Sequence, residues 1–181
     1  YASVIQCWAH SKRKEGPHRA EALLRQLQQL AASGDSDMTP DAICWNSVIS
    51  AFARAGDGEQ AEALFKEMLK GYVQDKQSAA PTAITFTSVL SGWTKTQNNR
   101  KAPERALSIL RNMERLHKTG AMNVKPNVVH YSTVLDCLAY SKCRSGAEQA
   151  EQLLRQMEAS DDPDVQPNVI SYNCVIKAWS F

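Results

Sequence analysis

The chain of 181 residues lacks several signals by which whole classes of protein are recognised. It has no run of eighteen or more apolar residues, so we expect no membrane-spanning helix and no membrane partner. It also has no glycine-rich phosphate loop and no nucleophile elbow, which are motifs of nucleotide-binding and hydrolytic enzymes. The formal net charge is only +2, too small by itself to indicate binding to nucleic acid.

The five cysteines and four histidines do not form a metal motif. No C-x-x-C pair occurs, and no histidine stands at ligand spacing from a cysteine. Cys7 and Cys137 fall where the repeats described below carry alanine or glycine, while Cys44 and Cys174 fall where they carry mainly serine or threonine. We therefore expect small, buried or partly buried side chains, with no metal and no other cofactor.

One acidic cluster, ASDDPD at 159–164, is the remaining candidate for catalysis. We expect no histidine, lysine or further carboxylate to be fixed beside it, as general acid–base chemistry would require. We interpret the cluster as part of a solvated loop, and we predict that the chain is not an enzyme.

What the chain does contain is a repeat. Five segments align without gaps, namely YASVIQCW, WNSVISAF, FTSVLSGW, YSTVLDCL and YNCVIKAW, and their leading aromatics recur every 41 to 45 residues. Four other segments alternate with them, namely AEALLRQL, AEALFKEM, ALSILRNM and AEQLLRQM. A period of this length predicts one supersecondary unit in each repeat.

Both kinds of segment carry apolar residues at i, i+3, i+4 and i+7, which predicts two amphipathic helices in each repeat. Breakers separate the two helices, and a proline precedes each following aromatic. We therefore predict an all-α fold, a right-handed α-solenoid of helix-turn-helix repeats. Its single array comprises a partial repeat 1–41, repeats 42–82, 83–127 and 128–168, and a truncated repeat 169–181. Because the chain starts without methionine and stops within a helical pattern, we expect it to be part of a longer protein.

A polar residue follows the aromatic in four of the five repeats, at Asn46, Thr87, Ser132 and Asn173. These residue types favour caps and turns over helix interiors, so something other than helix propensity selects them. Capping has better candidates in the residues that follow each proline, which are Asp41, Thr82, Asn127 and Asn168. For these four, a structural and a functional interpretation both stay open.

Charge is segregated between the two kinds of helix. The first-helix stretches, with their adjoining turns, hold ten basic residues and one acidic residue, whereas acidic residues outnumber basic ones in the remainder. In a solenoid the first helices line one surface, which is then basic. A basic surface with regularly spaced Asn, Ser and Thr is typical of nucleic-acid binding, although protein-binding repeats also segregate charge.

These residues resemble the pentatricopeptide repeat family. Its helical hairpin opens with two aliphatics, a Thr-like residue, an aromatic and a polar residue, carries A-x-x-L-F-x-x-M in the second helix, and ends in Pro-Asp or Pro-Asn. Here the pattern appears in AICWNSVISAFARAGDGEQAEALFKEM, in VVHYSTVLDCLAYSK, and in AEQLLRQM followed by QPN. The resemblance covers essentially the whole chain, whereas the Trp, Leu-Gly and Tyr pattern of tetratricopeptide repeats is absent.

The resemblance implies single-stranded RNA as the partner, with about one base per repeat. It also implies a mitochondrion or plastid, RNA processing, stability, editing or translation as the process, and other RNA-processing or ribosomal proteins as further partners. The implied base-reading pairs are Asn46 with Thr82, Thr87 with Asn127, and Ser132 with Asn168, and Asp41 and Asn173 belong to the incomplete repeats. The implied base-packing residues are Ile43, Ile84, Val129 and Ile170, and the implied phosphate contacts are Arg54 and Lys95. His10 and Tyr140 depart from the basic position. Ser or Thr with Asn is similar to the family's adenine combination, while Asn46 and Asn173 indicate a pyrimidine.

A second hypothesis is a structural or protein-binding solenoid, for example a subunit of an organellar ribosome. It is favoured by the repeats, which at 41 to 45 residues are longer than the family's usual unit, and by the imperfect first repeat.

Overall fold

A computed structural model describes residues 1–33, 38–75, 78–96 and 100–180. Within these ranges the chain forms nine α-helices and no β-strand, which confirms the all-α helical repeat class predicted from the apolar periodicity. The first helices of the repeats are α1 (Ala2–His10), α3 (Ala42–Ala55), α5 (Ala83–Lys95), α7 (Val128–Tyr140) and α9 (Val169–Trp179). The second helices are α2 (Gly16–Ala32), α4 (Gly58–Gln74), α6 (Ala102–Lys118) and α8 (Arg144–Glu158).

The chain divides into two compact units, Tyr1–Lys95 with α1 to α5 and Thr96–Phe181 with α6 to α9. In the first unit α1 packs against α2 and α3 packs against α4, and in the second unit α7 packs against α8. Three of the predicted helix pairs are thus formed. The predicted third repeat, 83–127, has α5 in one unit and α6 in the other, and the repeat boundaries stay a prediction.

Within each unit a first helix packs on both helices of the preceding pair. α3 contacts α1 and α2, α5 contacts α3 and α4, and α9 contacts α7 and α8. In the first unit Phe65 and Phe86 meet edge to face with ring centroids 4.9 Å apart, and Phe52 is also buried. In the second unit Leu138 and Met157 are fully buried. Stacking therefore covers the apolar stripe that a single helix pair leaves exposed.

The tyrosines in the first turns of α7 and α9 are hydrogen-bonded to the preceding second helix. The hydroxyl of Tyr131 on α7 donates to Glu114 Oε1 of α6 at 2.6 Å, and that of Tyr172 on α9 donates to Glu158 Oε1 of α8 at 2.9 Å. Burial, together with the adjacent Glu114 carboxylate, raises the pKa of Tyr131 well above its usual value. Tyr131 is therefore a neutral hydrogen-bond donor at all physiological pH values.

Local residues determine where the helices begin and end. Asp41 and Asp57 cap α3 and α4 by accepting from the backbone N–H of Cys44 and Gln60, at 2.8 and 3.0 Å. Gly56 ends α3 with φ of 79°, a left-handed conformation that costs little only for glycine. Gly56 lies in AGDG at 55–58, one of the predicted helix breakers, and this segment does separate α3 from α4.

Most of the cysteines occupy the buried positions expected of them, but Cys7 does not. Cys44, Cys137 and Cys174 are buried, and burial raises the pKa of the Cys44 thiol to about 11. Cys7 is exposed, which corrects the expectation, because α1 packs only against α2 and α3 within its unit. Among the described residues no group of His, Cys, Asp and Glu is arranged to hold a metal, and no helix is long and apolar enough to cross a membrane.

The expectation for the acidic cluster at 159–164 is corrected in one respect, because a lysine from an earlier part of the chain does lie beside it. Lys125 Nζ donates to Asp162 Oδ1 at 2.8 Å and to Asp164 Oδ2 at 2.7 Å.

Two glycines give a matched test of the helix packing. Gly92 of α5 is buried, and a Cβ there would lie 3.2 Å from Ala53 Cα of α3 and 3.4 Å from Gly58 Cα. We expect Gly92→Leu to lower the free energy of unfolding by about 1–3 kcal/mol, because the overpacked helices must separate. Urea denaturation followed by circular dichroism measures this change.

The control is Gly71→Ala on α4, where an added Cβ meets nothing within 4 Å. It should raise the free energy of unfolding by about 0.5–1 kcal/mol through the better helix propensity of alanine. Equal stability of Gly92→Leu and the unsubstituted chain would contradict the close approach of α3 and α5.

Candidate nucleic-acid interface

An aliphatic side chain stands exposed in the first turn of four first helices. These residues are the predicted base-packing positions, and each is more than half exposed, namely Ile43, Ile84, Val129 and Ile170. The residue that follows each of them is buried. A single exposed aliphatic residue needs no explanation, but the same exposure at one position of four helices makes these residues candidates for ligand contact.

In the first unit the structure brings the predicted pair Asn46 and Thr82 together. Asn46 Nδ2 donates to Thr82 Oγ1 at 3.4 Å, and Asn46 Oδ1 accepts from the hydroxyl of Thr85 at 2.6 Å. The two threonine hydroxyls lie 3.2 Å apart. Thr87, the next residue of the predicted column, donates its hydroxyl to the backbone carbonyl of Ala83 at 2.9 Å.

In the second unit Ser132 and Asn168 are joined through a third residue. Ser132 Oγ lies 3.1 Å from Ser171 Oγ, and the Ser171 hydroxyl donates to Asn168 Oδ1 at 3.3 Å. Ser132 is only 8% exposed, because α9 packs against α7, and the sequence did not predict this burial. Asn173 on α9 is exposed.

Three of the four residues that follow the prolines are helix caps. Asp41 caps α3, Asn127 caps α7 and Asn168 caps α9, and the last two form capping boxes with His130 and Ser171. The structural interpretation of these three is therefore confirmed, and their role in reading bases stays a prediction. Because Asn127 and Asn168 cap through Oδ1, the Nδ2 amide of each is the group left for a ligand.

The basic residues are exposed, but most of them lie outside the first helices. Of the ten assigned to this surface, nine are exposed and one is half-buried, and only Arg54, Lys95 and Lys177 stand within first helices. The others lie in the turns that follow those helices or at the start of the next helix. Arg54 also donates from its guanidinium to the backbone carbonyl of Ala9 on α1.

Tyr140 stands where the repeat pattern expects a basic residue, but a cation from another helix lies over its ring. Lys177 Nζ of α9 lies 3.5 Å from the centre of the Tyr140 ring and 3.2 Å from Asp136 Oδ1. Burial lowers the pKa of Lys177, but the contacts with Tyr140 and Asp136 outweigh it and raise the pKa above its usual value. Sequence reasoning missed this arrangement, since it depends on the packing of α9 against α7.

Sequence reasoning also missed Thr85 and Ser171. Each is fully buried and contacts both members of a predicted base-reading pair. The available signal was a polar residue three positions after the cap, the spacing of a capping box, although Glu or Gln is the usual residue there.

Stacked helix pairs with a recurring exposed aliphatic and a recurring polar cluster define a helical-repeat protein. Residues 40–95 match the model of the PPR repeat family, and residues 108–180 match that of the pentatricopeptide repeat domain. The chain therefore belongs to the pentatricopeptide repeat family, whose members generally bind RNA in organelles and are generally not enzymes. A comparison with curated proteins gives no match.

Asn168 provides a test of the capping role. We expect Asn168→Ala to lower the free energy of unfolding by about 1 kcal/mol, because the first turn of α9 loses its side-chain acceptor. Thermal denaturation followed by circular dichroism measures the loss. The exposed Asn173→Ala on the same helix is the control and should stay within about 0.5 kcal/mol of the unsubstituted chain. Equal losses in both variants would argue against the cap.

Proposed function

We propose that this chain binds single-stranded RNA selectively through the first turns of its first helices, about one nucleotide per repeat, in organellar RNA processing, stability, editing or translation. The observation that carries the proposal is the exposed aliphatic of each first turn, with a hydrogen-bonding cluster beside it in α3 and α7. Membership of the pentatricopeptide repeat family supports the choice of RNA.

The chemistry of the column suits unstacked bases. Ile43, Ile84, Val129 and Ile170 provide apolar contact for base faces, which every nucleotide offers. Asn, Thr and Ser side chains provide the donors and acceptors that distinguish base edges. The exposed Arg54 and Lys95 would offset phosphate charge, as would the lysines and arginines of the turns.

The proposed base preferences follow from the pairs. Thr87 with Asn127, and Ser132 with Asn168, would prefer adenine. Asn46 with Thr82 would prefer a pyrimidine, and so would Asn173. Asp41, whose partner position holds Ala2, would contribute little base selectivity because alanine offers no hydrogen-bonding group.

The second candidate function is a structural or protein-binding solenoid, for example in an organellar ribosome. One observation favours it: the polar groups of the column already have partners within the chain, and Ser132 is nearly buried. A purely structural column would need nothing more, so only a binding experiment separates the two functions.

We expect the chain to bind single-stranded RNA in a fluorescence anisotropy titration, with tighter binding to A-containing oligonucleotides than to poly(U) or poly(C). Affinity should fall as salt rises, because basic residues displace counterions from phosphates. Thr87→Asn should shift the preference toward pyrimidine, and Ser132→Asn should act in the same direction. Absence of RNA binding by a folded, helical chain would contradict the proposal and favour the structural candidate.

The aliphatic contact has a test of its own. Ile84→Ser should weaken RNA binding about 5-fold, or about 1 kcal/mol, while leaving stability unchanged, because Ile84 is 65% exposed. Val73→Ser is the matched control, since Val73 is an equally exposed aliphatic residue on the second helix α4. Anisotropy titrations of both variants with the same RNA decide the matter. Equal weakening in the two variants would contradict a specific contact at Ile84.

A further inference from the structure

We infer that the buried hydroxyl at the third residue of a first helix orients the base-reading side chain of the preceding repeat. This residue is Thr85 in the first unit and Ser171 in the second. The inference rests on the proposed function and deepens it, because it assigns a specificity role to residues that would otherwise serve only as part of a helix cap.

The contacts around Thr85 form a closed network. Its hydroxyl oxygen accepts from the backbone N–H of Thr82 at 2.8 Å and lies 3.2 Å from Thr82 Oγ1. Its hydroxyl hydrogen goes to Asn46 Oδ1 at 2.6 Å, and Asn46 Nδ2 returns a hydrogen bond to Thr82 Oγ1 at 3.4 Å. One buried hydroxyl therefore joins both members of a base-reading pair.

This network determines which way the Asn46 amide points. A separation of 2.6 Å is typical of an O–H···O hydrogen bond and is shorter than N–H···O hydrogen bonds usually are. The amide oxygen of Asn46 therefore faces Thr85, and its amide nitrogen faces Thr82. One of its two hydrogens goes to Thr82, so Asn46 has its second N–H to offer a base. The base atom that it meets must be an acceptor.

The second unit contains a related arrangement, in which the buried hydroxyl donates to the cap and not to the base-reading residue. Ser171 Oγ accepts from the backbone N–H of Asn168 at 3.3 Å and donates to Asn168 Oδ1 at 3.3 Å. With that hydrogen committed, the Ser132 hydroxyl donates to Ser171 across 3.1 Å, so only its lone pairs are left for a base. Ser132 therefore offers an acceptor, which suits a base donor such as the amino group of adenine.

Capping alone does not account for the contact between Thr85 and Asn46. A cap needs only the contact between Thr85 and the Thr82 backbone, and this contact lies entirely at the start of α5. Asn46 belongs to α3, 39 residues earlier in the chain. Thr85 is completely buried and β-branched, so its rotamer is restricted and its hydroxyl is a rigid anchor for the amide.

Thr85→Val tests the inference, since valine keeps the shape and removes the hydroxyl. The freed Asn46 amide could present either end to a base. Base preference is measured as the ratio of the affinities for the best and the second-best base at the nucleotide that this repeat reads. We expect this ratio to fall about 2- to 10-fold, which is the contribution of one hydrogen bond. The probe is a set of fluorescent RNA oligonucleotides in which each position carries A, C, G or U in turn. Thr85→Ser restores the hydroxyl and should restore the preference.

Asp57→Ala is the matched control for stability. It removes the cap of α4, where Asp57 accepts from Gln60 N at 3.0 Å, and leaves the Asn46 network intact. It should lower stability as Thr85→Val does but keep the base preference. If Thr85→Val fails to fold, Ser171→Ala in the second unit makes the same test at Ser132, with Ser171→Thr as the rescue.

The inference is supported if Thr85→Val loses the base preference while Asp57→Ala keeps it. The inference would be overturned if a folded Thr85→Val chain kept its base preference, or if Asp57→Ala lost as much base preference. In either case RNA binding by the unsubstituted chain would still support the proposed function. An unsubstituted chain that binds no RNA, or binds without preference, would overturn the proposed function and the inference with it.

Discussion

The structure depends on one constraint, which is that a helix pair cannot bury its apolar stripe alone. Within the units, α3, α5 and α9 therefore each pack on both helices of the preceding pair. This packing places the start of α5 beside the start of α3, and the start of α9 beside that of α7. The polar residues that follow the aromatics then meet the caps of the next helix. The candidate interface is thus a consequence of the core.

Capping and the proposed base recognition use the same side chains in this arrangement. Asn168 satisfies the first turn of α9 through Oδ1, and Thr85 accepts from the backbone of Thr82 while donating to Asn46. Such side chains are held in place before any ligand arrives, so a ligand would meet groups whose orientation costs little entropy. The same internal bonds would also be sufficient for a scaffold, and RNA titration is therefore the deciding measurement.

The exposed aliphatics and the cations have a different origin from the polar network. Ile84 and Val129 lie outside the core, since each residue is more than half exposed, although neighbouring residues are buried. Lys177 is placed over the Tyr140 ring by the packing of α9 against α7. A cation thus lies at the one complete repeat whose own basic position holds an aromatic residue.

The sequence by itself determined the helices, because their apolar stripes, the Gly56 stop and the caps at Asp41, Asn127 and Asn168 depend on residues a few positions apart. The family resemblance picked out Ile43, Ile84, Val129 and Ile170 as base-packing positions, and the structure shows that each of them is exposed. Only the tertiary structure decided that Ser132 is nearly buried, that Lys177 lies over Tyr140, and that Thr85 contacts Asn46. Such contacts join residues about forty positions apart. They depend on the register between two packed helices, and no local sequence pattern specifies that register.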